Sequence, residues 1–241
     1  MALPLQSTAI YTLTIPSSGK QVKYRPFLVK DEKALMVAQQ SEDLEVMIST
    51  LKGVISSCVV DKINPDDLAL FDMEYIFSQI RAKSVGEVSE LVFTCGKCTN
   101  ENNKYKLSLD VSKIEVAKNP DHKNKIPLFD NVGVIMKYPG IEILKRIEKG
   151  FSDPDNVIDI VIDSIDMIYT DDEVFHAKDQ TRKELKEFVE NLTKDQFDEL
   201  EQFFSTMPKF QHLVEFDCPA CGSHNKLMLE DRKSTRLNSS H

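Results

Sequence analysis

The stretch Leu213-Val214-Glu215-Phe216-Asp217-Cys218-Pro219-Ala220-Cys221-Gly222-Ser223-His224-Asn225-Lys226-Leu227-Met228-Leu229 reads as a strand, a tight turn and a returning strand. Val214 and Phe216 alternate with Glu215 and Asp217, the period of a half-buried strand. The same layout stands upstream, where Leu91-Val92-Phe93-Thr94 leads into Cys95-Gly96-Lys97-Cys98 and a strand over Tyr105 to Leu109 follows. A tight CxxC turn points two thiolates to one side, and two such turns complete a tetrahedral site. Cys95, Cys98, Cys218 and Cys221 are therefore expected to bind one structural Zn2+ ion, their sulfurs within about 4 Å of one another. Gly96 and Gly222 suit an open backbone whose amides face the sulfurs.

The spacing is unusual. There are 119 residues between Cys98 and Cys218, where compact zinc ribbons have about 15–20. The pairs meet if the intervening chain is an insertion whose ends return to the ribbon, and the matching flanks favour this. Two other readings stay open. A thioredoxin-like site needs a CxxC at a helix start, and neither motif opens a convincing helix. Four inert thiols are the other. Cys58 lies on an apolar face with Val54 and Ile55 and reads as a small buried hydrophobe.

Outward from the two cysteine turns, Tyr11, Leu13 and Ile15 alternate with Thr12 and Thr14. With Pro16 to Lys20 as turn and Val22 to Tyr24 as return, they predict an N-terminal hairpin over 1–28. Helices are predicted over 29–86: a short one from about Lys30, then Leu44 to Cys58 on one buried face. Asn64-Pro65-Asp66-Asp67 should open a further helix carrying Leu68 to Ile80 and ending near Gly86. Residues 87–138 hold the first CxxC and a strand over Val132 to Lys137, with Asn119 to Lys125 loop-like. From Gly140 the pattern is helical over 139–209. Asp153-Pro154-Asp155 starts a helix whose Val157, Val161, Ile165 and Ile168 share a face. Thr181 with Glu184, and Thr193 with Gln196, form capping boxes. The second cysteine hairpin occupies 210–230. The expected fold is α+β: a mainly helical middle region, terminal β-hairpins and a split zinc-ribbon-like four-cysteine site in a single domain over 1–230.

Residues 231–241, Asp-Arg-Lys-Ser-Thr-Arg-Leu-Asn-Ser-Ser-His, back-translate in one frame as a widely used sequencing-library adapter. They are read as an artefact, with a natural chain continuing past Glu230. The 241 residues carry 30 Lys+Arg against 39 Asp+Glu, a net charge of −9. Without the last eleven the balance is 27 against 38, or −11. That surplus of acid disfavours nucleic-acid phosphates as the main partner. With 41% hydrophobic and 29% charged residues the chain has no disorder signature. No apolar run approaches the roughly 20 residues of a membrane span, and Met1 to Leu5 does not resemble a signal peptide, so a cytoplasmic place is expected. Five cysteines, an odd number, argue against a disulfide scaffold.

Catalytic patterns are missing: there is no P-loop, GxGxxG, GxSxG or HExxH. His122, His176, His212 and His224 sit singly, and His224 is read as an exposed turn residue rather than a neighbour of zinc. Asp159, Asp163 and Asp166 read as the wet face of a helix, and Thr170-Asp171-Asp172-Glu173 as an acidic turn. Four protein ligands leave no open metal position for water, as in structural zinc sites.

Several strings are distinctive. They are Ser17 to Lys20 with Val22 to Lys30, Phe71-Asp72-Met73-Glu74-Tyr75-Ile76-Phe77, Gln79 to Glu87, Met136-Lys137-Tyr138-Pro139, Ile165-Asp166-Met167-Ile168-Tyr169, Phe203 to Lys209, and both CxxC motifs. In these the chain, from about Leu3 to Glu230, resembles the baseplate hub assembly proteins of T-even-type contractile-tailed bacteriophages. The resemblance implies a non-enzymatic protein that helps build the central hub of the tail baseplate by binding other hub proteins. Its place would be the host cytoplasm during assembly, or the tail baseplate itself. The relatives continue past the Leu-Glu with a short apolar, aromatic tail that this sequence lacks. Tyr24 to Phe27 and Tyr75 to Arg81 could anchor a partner, since Arg and Tyr are enriched in hot spots, but internal packing is the favoured reading. The rival function is a zinc-ribbon nucleic-acid-binding module. Lys97, Lys104 and Lys106 would support it, and Glu101, Glu215 and Asp217 offset them.

Overall fold

A computed structural model describes residues 8–98 and 104–230. β1 (Tyr11–Thr14) and β2 (Gln21–Tyr24) pair antiparallel as the N-terminal hairpin. Their alternation buries Leu13, Val22 and Tyr24. α1 (Val29–Ser41) and α2 (Leu44–Cys58) follow, α2 capped by Asp43, which accepts from the amides of Glu45 and Val46. Asn64 and Pro65 start only a 3-10 turn, Pro65–Asp67, and α3 (Leu70–Val85) begins separately after it. The hairpin, α2 and α3 enclose a first core around Ile48, Ile55, Met73, Ile76 and Ile80.

β3 (Val88–Thr94) and β4 (Lys104–Asp110) form a two-stranded sheet. After a short strand β5 (Val116–Ala117) come β6 (Lys125–Phe129) and β7 (Val132–Met136), then α4 (Ile143–Lys149) and α5 (Pro154–Asp163). β8 (Ile165–Tyr169) and β9 (Val174–His176) complete a four-stranded antiparallel sheet in the order β6-β7-β8-β9. α6 (Arg182–Glu190) and α7 (Lys194–Thr206) each open with the expected capping box. With α5 they cover one face of that sheet, in a second core around Val134, Val161, Ile165, Leu185, Leu200 and Phe203. β10 (Lys209–Asp217) and β11 (His224–Glu230) end the described chain, and β5 adds to β10 in the order β11-β10-β5.

The mainly helical middle region is not what the chain forms. Among the described residues helix makes up 42% and strand 27%, in four antiparallel sheets of two to four strands. The largest departure is at Ile165 and Ile168, expected on the helix of Val157 and Val161. α5 stops at Asp163, where the buried Ser164 turns its hydroxyl to the carbonyl of Ile160. The chain then runs extended beside β7, which supplies hydrogen-bonding partners that a helical continuation would leave unpaired. Lys125, expected at the end of the loop-like stretch, instead opens the strand Lys125 to Phe129. The two cysteine hairpins do not form one ribbon sheet either. They belong to separate sheets that share a small third core of Phe93, Val214 and Phe216, flanked by Leu91, Tyr105, Leu107, Leu227 and Leu229. The stretch 231–241 lies outside the described residues.

Candidate metal centre

Strand alternation directs Phe93 inward from β3 and Val214 and Phe216 inward from β10. Phe216 stacks on Tyr105, centroids 5.0 Å apart, and on Phe93 at 5.9 Å. That contact brings the two hairpin tips together. Cys95 Sγ lies 3.9 Å from Cys221 Sγ, and Cys98 Sγ lies 3.8 Å from Cys218 Sγ. All four sulfurs are within 4.8 Å of one another. Sulfurs bound at about 2.3 Å to one tetrahedral ion stand about 3.8 Å apart, so the donor set fits a metal ion. Cys95 and Cys218 are buried, Cys98 is half-buried and Cys221 faces solvent.

The surrounding backbone favours thiolates. The amide of Lys97 donates to Cys95 Sγ at 3.3 Å and, as the largest influence, holds that thiol below its usual range. The Ser223 hydroxyl, then the Ser223 amide, bring Cys221 down to about 6. A metal needs the thiolate form. Gly222 takes φ 69°, and its amide donates to the Cys218 carbonyl at 2.8 Å, closing the second turn. The Lys97 ammonium reaches across to the carbonyl of His224 at 2.6 Å, a direct tie between the hairpins. Sequence reasoning misses these roles of Lys97 and Ser223. Their signal is position: the residues two past the first and last cysteines have amides that point back at sulfur.

The other candidates divide. Cys58 is fully buried, as expected, but beside a polar knot. The Asp31 carboxylate accepts from the Arg25 guanidinium at 2.8 Å, the Leu28 amide at 2.9 Å and the Ser57 hydroxyl at 2.8 Å. Burial pushes the Cys58 thiol up. His224 Nδ1 faces the Asp217 carboxylate at 2.9 Å. Asp166 is not on the helix but in β8, and Asp159 and Asp163 are not simply a wet face: Arg146 from α4 and Arg182 from α6 pair with both. The aromatic anchors are spent on internal packing, Tyr24 buried, Phe27 against Phe77, and Tyr75 against Phe210. His122 is held between Tyr138 and Phe203, with Nδ1 3.0 Å from the Thr206 hydroxyl.

Compared with known proteins, the sequence matches the family described as T4 bacteriophage base plate protein over residues 8–235. The chain belongs to that family. Both cysteine hairpins and all three cores fall inside the match, which ends at Thr235, within the stretch read as foreign. No curated protein and no solved structure matches significantly. As a phage baseplate protein, the chain is a component of the virion tail and works in contact with other tail proteins. No helix among the described residues is long and apolar enough to cross a membrane.

Proposed function

We propose that this baseplate protein acts in building the central hub of the tail baseplate, as assembly factor or hub subunit, through protein–protein contacts and without catalysis. The family match over residues 8–235 carries this reading. It gains support from the hub-type strings of the sequence and from the net charge of −9, which repels nucleic acid. It acts in the host cytoplasm during assembly, with the tail baseplate as its final seat, and residues 1–230 act as one domain.

Within it, Cys95, Cys98, Cys218 and Cys221 hold one structural Zn2+. Four thiolates match zinc in softness and number and leave no position for substrate water. The ion clamps two hairpins that lie at distant points of the chain and closes the region between them. Co-expression with the neighbouring tail genes, followed by affinity capture and sizing, tests the hub reading. Stable complexes with hub proteins are expected, and normal baseplates assembling after deletion of the gene would overturn it.

A further inference from the structure

The register of the four-stranded sheet separates its two faces. Ile126, Val134, Ile168 and Phe175 are cross-strand partners and form one row. Its first three members lie in the second core. The adjacent rows must face the other way. They are Lys125, Ile135, Met167 and His176, and Pro127, Gly133, Tyr169 and Val174. The core built with helices α5 to α7 lies on the first face, and on the second only Ile135, at one side, borders a cavity shared with Ile143 of α4 and Ile160 of α5 among the described residues. On the second, Tyr169 lies over the bare backbone of Gly133, and the Lys125 ammonium stands 4.5 Å from the Tyr169 ring centroid. Pro127 and Val174 are exposed, Ile135, Met167 and Tyr169 half-buried. The result is an apolar platform with an aromatic centre and a free edge at β9, whose three residues are all exposed.

One end of this platform is strongly charged. The β6–β7 turn presents Asp130 and the β8–β9 turn presents Asp171, Asp172 and Glu173, all exposed. Asn131 of the first turn donates to Asp171 of the second, which fixes the two turns side by side. None of the four carboxylates is in a salt bridge among the described residues, whereas Asp159 and Asp163 of α5 are matched by arginines and Asp155 by Lys186. The charge is thus left for something outside the chain, next to apolar surface of the kind that interfaces desolvate.

We propose that this outer sheet face is a docking surface for a segment of another tail protein that carries apolar side chains for the Tyr169–Val174 platform and Lys or Arg for the acidic turns. It rests on the baseplate reading and names a surface for it. A basic partner gains from all four carboxylates at short range, and its affinity falls as salt screens them.

The test uses the full chain co-expressed with the other tail proteins, with a photo-crosslinking amino acid at Val174 and, as control, at Lys106 on the outer side of β4. The expected result is an adduct from position 174 alone, to a peptide of another tail protein with Lys or Arg beside apolar residues. The triple variant Asp171→Lys, Asp172→Lys, Glu173→Lys should keep the wild-type melting curve and lose about tenfold or more in affinity for that protein, as expected when several rim charges are reversed. An adduct to a second copy of this chain, an acidic adducted peptide, or unchanged affinity in the triple variant would overturn the proposal. If the variant still captures the same tail proteins as the wild type, only this surface falls. If the wild type captures none, the baseplate-hub reading falls with it.

Discussion

Phe216→Ala is expected to loosen the metal-bearing end of the molecule while sparing the rest. Phe216 is 5% exposed and, among the described residues, is the only one stacked on both Phe93 and Tyr105. Emptying a buried phenylalanine site costs about 3–5 kcal/mol. Each lost aromatic pair contributes about 0.5–1.5 kcal/mol within such a total. Among the described residues the third core has just three buried members, Phe93, Val214 and Phe216, so its neighbours have little else to collapse onto. The loss is a large share of the roughly 5–15 kcal/mol typical of a whole domain. Leu213→Ala, on the outer face of the same strand and 47% exposed, is the control and should cost under about 1 kcal/mol, as surface changes usually do. Denaturant unfolding gives the totals. Hydrogen exchange gives the location: protection should fall in β3, β4, β10 and β11 and hold in α2, α3 and the β6–β9 sheet. A cost below about 1 kcal/mol for Phe216→Ala, or equal loss of protection in α3, would refute the view of a separate third core.

Complete chelation, or Cys218→Ser, should lower the melting temperature markedly, because metal binding and folding are coupled; an unchanged melting curve would count against the clamp. Gly133→Ala should cost about 1–3 kcal/mol, as overpacking does. Its added carbon would meet the Tyr169 ring and stand 2.6 Å from the Ile126 carbonyl, so a wild-type melt would contradict the close packing of Tyr169. Burial holds His122 below its usual range, with Nε2 unpartnered. The unfolded chain therefore takes up a proton first as pH falls, and stability should drop from about pH 6.5 down to the lowered folded value. Asp72, pushed up by burial, works in the opposite sense, since the folded form gains its proton first. His122→Gln should flatten the fall that sets in below about pH 6.5, and an unaltered slope would show that His122 is not its source.

The parts legible from sequence are those whose signal is local. The N-terminal hairpin follows from the alternation of Tyr11 to Ile15, α6 and α7 from their capping boxes, and the cysteine hairpins from strands that flank CxxC turns. That two pairs 119 residues apart meet was also readable, because neither pair is a complete tetrahedral donor set. The rest depends on partners distant in the chain. Val157, Val161, Ile165 and Ile168 have helical spacing, yet the last two pair with β7, and nothing local distinguishes the two outcomes. Asp159 and Asp163 share one side of α5 in either reading, but their arginines arrive from α4 and α6. The place of Asp31 is legible, three residues after Leu28 at the start of α1, where a carboxylate caps the Leu28 amide. What local sequence does not show is that Arg25 and Ser57 donate to it.

The metal itself is the most direct measurement. Protein purified under reducing conditions without added metal, analysed by elemental mass spectrometry and X-ray absorption, should hold one zinc per chain with four sulfur ligands at about 2.3 Å. A folded protein with no bound metal, or zinc bound by oxygen or nitrogen in place of any of the four sulfurs, would contradict the account.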